Sequence, residues 1–261
     1  MRSFKLEKKY SFFYSISFSL LAYPPSGTPF VDHHAAFLSL LGLYFLILAI
    51  KENKNFYWFL TPVFLGLAFI SKQVPSTYVI IFFSFIIISY FIAKRNFNSI
   101  KYLFFGSLFF LIIIFLAGNF IGISLGSFLE QYIIYPRSIG SDRFANLNIT
   151  INNIFGHYKF IYISFLPLLL INLQKIYKNK YYVKDDNFYF FLILFLFTVS
   201  LIFHQLLTKN QVFIYFLIPI LSGFSQIYLK KNNIKNKKFI FIFIFLFCLF
   251  ATIKYHQRFN E

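Results

Sequence analysis

Nine apolar runs, separated by short segments rich in Lys and Asn, leave this chain few ways to fold. They cover about 11–23, 33–50, 56–71, 77–93, 102–122, 159–174, 188–207, 212–229 and 239–253. In lipid every backbone N–H and C=O must be satisfied internally, and without a closed barrel only helices achieve that. The expectation is an all-α protein, a polytopic transmembrane helical bundle of about nine spans forming a single integral membrane domain over 1–261. Several runs are shorter than the roughly 20 residues a span needs. Those must extend into polar flanks or sit inside the bundle. Charged residues make up 13% of the chain, about half the share in a soluble domain.

The loops set the orientation. With the N-terminus inside and strict alternation, only seven of the 25 Lys and Arg fall outside: Lys72, Arg137, Arg143, Lys159, Lys209, Lys254 and Arg258. By the positive-inside rule this places the N-terminus in the cytoplasm of a bacterial inner-membrane protein. The net charge of +17 is scattered through these loops rather than gathered on one soluble face, so nucleic acid is not expected as a partner. Membrane lipids are, with the basic loops Lys175–Lys184 and Lys230–Lys238 lying against anionic heads. The single cysteine, Cys248, excludes an intrachain disulfide. The first run ends at Pro24-Pro25 without a small-residue cleavage site, so it reads as a membrane helix rather than a signal peptide. The segment 123–158 is the one long outside loop. Phe128-Leu129 and Tyr132-Ile133 stand at helical spacing and predict an amphipathic interfacial piece, which Pro136 and Gly140 are expected to break.

Four outside constellations could carry chemistry. The turn Leu21–His34 holds one carboxylate, two imidazoles and no Lys or Arg. Asp32 directly precedes an apolar run, where an Asp serves equally well as N-cap or as a catalytic carboxylate. His33 and His34 are adjacent and point about 100° apart on a helix, so they cannot share a metal. One of them suits a phosphate, the other headgroups or a neighbouring helix. No Cys or carboxylate cluster completes a metal site; no cofactor is expected, and a divalent metal has no support.

In Gly66–Ser76, Lys72 is the lone cation between the third and fourth runs, followed by Gln73 and, shortly after, Pro75. Lys72 can cap a helix C-terminus and snorkel to water. It can equally stand beside the free N–H groups of a Pro-initiated helix and bind an anion. In Tyr135–Arg143, Arg137 and Arg143 are six residues apart in a chain where Lys far outnumbers Arg. Either they bind phosphate bidentately or they pair with acids such as the adjacent Asp142. His204, with Gln205 and Lys209 near a short outside turn, offers a functional group at the membrane boundary or an interhelical hydrogen bond.

The Pro-broken turn with Asp32 at the head of a helix, together with Gly-Leu-Ala-Phe-Ile-Ser-Lys-Gln at 66–73, resembles the polyprenyl-phosphate-dependent glycosyltransferases of the GT-C class. The nearest branch is the dolichyl-phosphate-mannose protein mannosyltransferase-like enzymes of bacteria. The specific part of the likeness covers about residues 20–95. It implies a multi-helix fold with an outside-facing cavity and transfer of a sugar from a polyprenyl-phosphate donor to a lipid, glycan or protein acceptor. It implies that Asp32 stands at the family's second acidic position and Lys72 at the basic residue after the Gly-Leu segment. The mechanism implied is inversion: a carboxylate deprotonates the acceptor hydroxyl, which attacks the anomeric carbon as lipid phosphate leaves, with Lys72 and Arg137 or Arg143 stabilising the phosphate. The family's first outside loop carries an acidic, usually Asp-Glu, motif. Here the only acid before the first run is Glu7, on the inside, so the resemblance implies a fragment lacking an N-terminal helix pair. A lipid-linked glycan polymerase or ligase is the alternative enzyme. A flippase or transporter would share the phosphate site but needs paired broken helices, which the sequence does not show. The sequence leaves the oligomeric state open.

Overall fold

The computed structural model describes residues 2–22, 31–95, 97–147, 149–178, 184–208, 214–232 and 236–260. Among these the chain forms eleven α-helices and no strand: α1 (Lys8–Ala22), α2 (Val31–Glu52), α3 (Asn55–Ser71), α4 (Gln73–Lys94), α5 (Ile100–Ile121), α6 (Leu125–Leu129), α7 (Tyr135–Ala145), α8 (His157–Lys178), α9 (Asp186–Leu207), α10 (Leu217–Lys231) and α11 (Lys237–Asn260). The turn before Asp32, from Tyr23 to Phe30, lies outside the described residues, as does Lys209.

Each of the nine predicted runs corresponds to a helix, but not each is a span. Six helices among the described residues are long and apolar enough to cross a membrane. α3 has 17 described residues and α1 and α10 have 15 each, and they are not among these six. The expectation of about nine spans is corrected accordingly. The chemistry of the short helices explains it. α1 carries Lys8, Lys9 and several serines, two of which turn back to the helix: Ser15 Oγ donates to the Ser11 carbonyl at 2.9 Å and Ser19 Oγ to the Ser15 carbonyl at 3.1 Å. α10 mixes Ser222, Ser225 and Gln226 into its apolar sequence and hides them among other helices.

The chain divides into two compact units. The first comprises 1–33, 151–198 and 211–261. Its centre is α10, buried at every residue from Leu217 to Leu229. α8, α1 and α11 pack around it. Several buried polar groups of this unit hydrogen-bond within it. Ser225 Oγ donates to the Ser164 carbonyl at 2.9 Å, Gln226 Nε2 to the Phe241 carbonyl at 3.0 Å, and the Tyr228 hydroxyl to the Asn187 carbonyl. At one end Phe4 sits edge-on to Phe190 and Phe224.

The second unit comprises 34–150 and 199–210. Here α3 is central, packed on α4 and α5. Trp58 is fully buried between α3 and α4, against Tyr90 at 5.8 Å and Phe91 at 5.1 Å. Gly106 is the buried residue of α5. A Cβ there would lie 2.1 Å from the Phe59 carbonyl oxygen, so the two backbones meet at a distance only glycine allows. The other faces of α5 are apolar and mostly exposed, as suits a helix turned to lipid.

Two local features of this second unit build the site. α3 ends at Lys72, whose N–H donates to the Ala68 carbonyl at 3.1 Å while its own backbone is extended. Val74 is extended too, so the regular turns of α4 begin at Pro75, where a missing N–H costs nothing. The stretch from Leu125 to Ala145 is helical throughout, with a π turn at Glu130–Ile134 joining α6 to α7. Ser124 caps its start by accepting from the Ser127 N–H at 3.1 Å. The expected break at Pro136 and Gly140 is absent from this piece. Pro136 follows directly on the π turn, and Gly140 faces open space.

Candidate functional site

A cavity of about 220 Å³ lies within the second unit, where the α3–α4 junction, α7 and the end of α9 converge. The junction contributes Lys72, Gln73 and Val74, and α4 adds Tyr78 one turn further on. α7 contributes Pro136, Ile139, Gly140, Arg143 and Phe144, which is the i, i+3, i+4, i+7, i+8 face of a helix. The end of α9 contributes His204, Leu207 and Thr208. Phe203 fixes these walls to one another: its ring lies 5.2 Å from Tyr78 of α4 and 6.1 Å from Phe144 of α7.

Among the described residues the lining holds an ammonium, a guanidinium and an imidazole, and no Asp or Glu. Lys72 is half-buried, Arg143 exposed and His204 wholly buried, so the three sample different depths. Two cations and an imidazole lining one hollow give it the charge that an anion would need. The volume is smaller than the roughly 300 Å³ at which pockets for drug-sized ligands begin, and suits an anionic group rather than a whole glycolipid.

The junction carrying Lys72 is tied to the segment carrying Arg143. Gln73 Nε2 donates to the Tyr132 carbonyl at 2.9 Å. The Tyr132 hydroxyl donates to the Phe69 carbonyl at 3.0 Å and to that of Ile70. These are among the last carbonyls of α3, which the helix itself cannot satisfy. Burial raises the Tyr132 phenol above its ordinary range, so it remains a donor. Its ring stacks on Phe128 at 5.2 Å and sits edge-on to Phe69.

Four of the residues singled out in the sequence meet in this cavity: Lys72, Gln73, Arg143 and His204. Gln73 has a structural duty as well, through Tyr132. Arg137 is exposed and does not line the cavity. Six helical positions separate it from Arg143 by about 120° around the axis. His34 is exposed on α2 and is not part of the lining, while Asp32 and His33 are buried and belong to the first unit. Asp32 falls within the first turn of α2 rather than before it, where a carboxylate still complements the helix dipole. Tyr78 and the clamp residue Tyr132 carry no site signal in the sequence. Thr208 is held by its hydroxyl, which donates to the His204 carbonyl at 2.9 Å. Gln205 is also fully buried, and neither end of its amide finds a hydrogen bond among the described residues. No group of three or more His, Cys, Asp or Glu among the described residues is placed to hold a metal ion.

Residues 11–117 match the model of the dolichyl-phosphate-mannose-protein mannosyltransferase family, a stretch running from α1 into α5. The match supports a GT-C-like membrane glycosyltransferase and, in general terms, a lipid-linked sugar donor. It takes in Asp32, Lys72 and Gln73, and stops short of Arg143 and His204. No curated protein and no solved structure matches the chain.

Proposed function

We propose that the chain transfers a sugar from a polyprenyl-phosphate donor to a lipid, glycan or protein acceptor, on the extracytoplasmic side of a bacterial inner membrane. The observation that carries this reading is the cavity in which Lys72, Arg143 and His204 converge, with no carboxylate among the described lining residues. That hollow receives the donor phosphate. During transfer the bond from the anomeric carbon to the phosphate oxygen breaks and negative charge builds on that oxygen. The ammonium of Lys72 and the guanidinium of Arg143 stabilise that charge. A carboxylate accepts the proton of the acceptor hydroxyl as that oxygen attacks the anomeric carbon, with inversion, and from the sequence alone Asp32 is assigned to this step as an orienting group or auxiliary base. Support comes from the family match, which includes Asp32 and Lys72.

The test uses the full chain in liposomes with a radiolabelled polyprenyl-phosphate sugar, following sugar transfer and donor binding separately. Asp32→Asn should abolish transfer and leave donor binding within about twofold, because a general base acts on the acceptor and not on the phosphate. Lys72→Gln should weaken donor binding itself. Full transfer by both variants would remove the enzymatic reading.

A further inference from the structure

We propose that the first unit carries a binding site for an anionic phospholipid, distinct from the cavity of the second unit. A hollow of about 380 Å³ opens between the start of α1, the end of α10 and the start of α11. Its polar rim is Lys230, Lys237 and Lys238, and its apolar floor includes Tyr10, Phe241 and Ile242. Among the described residues Glu7 is the single acid in the lining. Its carboxylate is already engaged, with Lys9 Nζ 3.4 Å away.

The geometry explains why three like charges gather here. Asn236 adopts a left-handed conformation, φ 62°, which Asn tolerates better than most residues. That bend starts α11 directly at Lys237 and Lys238, beside the last residues of α10. Lys230 Nζ donates one hydrogen bond to the Lys5 carbonyl at 3.3 Å. An ammonium has three donors, so it has capacity left for a ligand. The floor is fixed by Tyr10 and Phe241, edge to face at 4.8 Å. Three ammonium groups around one hollow favour an anion lying among them.

The outer face of α11 identifies the anion as the head of a lipid. Phe239, Ile242, Phe243, Leu246 and Phe250 are all exposed and recur at i, i+3, i+4, i+7 and i+11, a continuous apolar strip down one face. α11 is long and apolar enough to cross a membrane, which puts the lysines at headgroup level and the strip at acyl-chain level. A phosphate held by cations at a helix start, with chains laid along the same helix, is the pattern of an anionic glycerophospholipid. Basic pockets between membrane helices take such headgroups. A soluble phosphate would leave the strip unused.

The experiment measures phosphatidylglycerol retained by the purified full chain, by native mass spectrometry after detergent extraction from phosphatidylglycerol/phosphatidylcholine vesicles. The triple variant Lys230→Gln/Lys237→Gln/Lys238→Gln should lose retention about tenfold, each lysine near a membrane surface contributing substantially. A charge-matched control, Lys51→Gln/Lys94→Gln/Lys101→Gln, should stay within about twofold of the parent, since it removes the same charge from helix-end lysines that do not line the hollow. Glycerol 3-phosphate should fail to displace the lipid, and phosphatidylcholine should not be retained. Equal loss in both triple variants, undiminished retention in the first, displacement by glycerol 3-phosphate at lipid concentrations, or equal retention of phosphatidylcholine would each overturn the proposal. Both variants change only charged loop and helix-end lysines, and an unchanged elution volume verifies their fold.

Discussion

Gln73 and Tyr132 hold each other across 59 residues of chain: the amide of the first donates to the carbonyl of the second at 2.9 Å. The phenol of Tyr132 answers by donating to the Phe69 and Ile70 carbonyls at the end of α3. Lys72 stands between these two attachments in sequence. The clamp therefore fixes the extended junction whose cation enters the cavity, and fixes it to the helical segment that delivers Arg143.

Removing the phenolic oxygen tests this. Tyr132→Phe keeps the ring stack on Phe128 and deletes both hydrogen bonds to α3. The single proton is shared between the two carbonyls, a donation worth about 1 kcal/mol net, and both carbonyls lose a partner. Donor KM should rise several-fold with kcat changed much less, because positioning of Lys72 suffers and the chemical groups stay. Steady-state kinetics with the lipid-linked donor decides it. A fall in kcat at unchanged KM would place Tyr132 in the chemistry and not in the clamp.

The two arginines of α7 should behave differently. Arg143 lines the cavity and Arg137 is exposed elsewhere on the helix. Arg143→Gln should weaken donor binding by about 10- to 100-fold, the range expected for losing a hydrogen bond to a charged group at about 1.5–3 kcal/mol. Arg143→Lys should recover only part, since an ammonium lacks the fork that grips phosphate bidentately. Arg137→Gln should stay within about twofold. Binding isotherms for the three variants make the comparison, and equal losses at 137 and 143 would detach the cavity from donor binding.

Much of this was legible in the sequence, for identifiable reasons. Hydropathy located every long helix, because an apolar run of that length has no other stable form in lipid. It could not distinguish lipid-facing from protein-facing surface. α10 and α5 are both apolar runs, yet α10 is buried along nearly its whole length and α5 touches protein chiefly around Gly106. Lys72, Gln73, Arg143 and His204 were visible as polar residues in oily surroundings. Their convergence was not, since it depends on which face α7 presents. Reading Pro136 and Gly140 as breakers hid the helical spacing that separates Arg143 from Arg137. Tyr132 gave only the faint signal of an aromatic with a polar tip in an amphipathic stretch, and its hydroxyl's partners lie more than 60 residues away.

Alkaline titration offers an independent check on the clamp. Burial raises the Tyr132 phenol above its ordinary range in the folded chain. In the unfolded chain it ionises near its usual value of about 10. The unfolded state then releases its proton first as pH rises, so the stabilisation is complete below about pH 10 and declines as pH climbs toward the folded value. Melting temperatures of the parent should fall as the pH rises above about 10, and those of Tyr132→Phe should fall less steeply because it lacks this group. Parallel slopes for the two proteins would mean that the phenol is not held by burial.

The close approach of α3 and α5 yields a prediction about stability alone. A Cβ at Gly106 would sit 2.1 Å from the Phe59 carbonyl oxygen and 2.9 Å from Pro62 Cγ. The first obstacle is backbone and cannot turn aside, so Gly106→Ala must push the helices apart. At Gly66 a Cβ would meet the Phe110 ring at 2.6 Å, and a ring on a flexible side chain can rotate toward the adjacent cleft between α3, α4 and α5. Overpacking costs about 1–3 kcal/mol. Gly106→Ala belongs at the upper end of that range and Gly66→Ala at the lower. Melting temperatures in one detergent should therefore rank parent, Gly66→Ala, Gly106→Ala from highest to lowest. The reverse order would mean that α5 does not pack on α3 through Gly106.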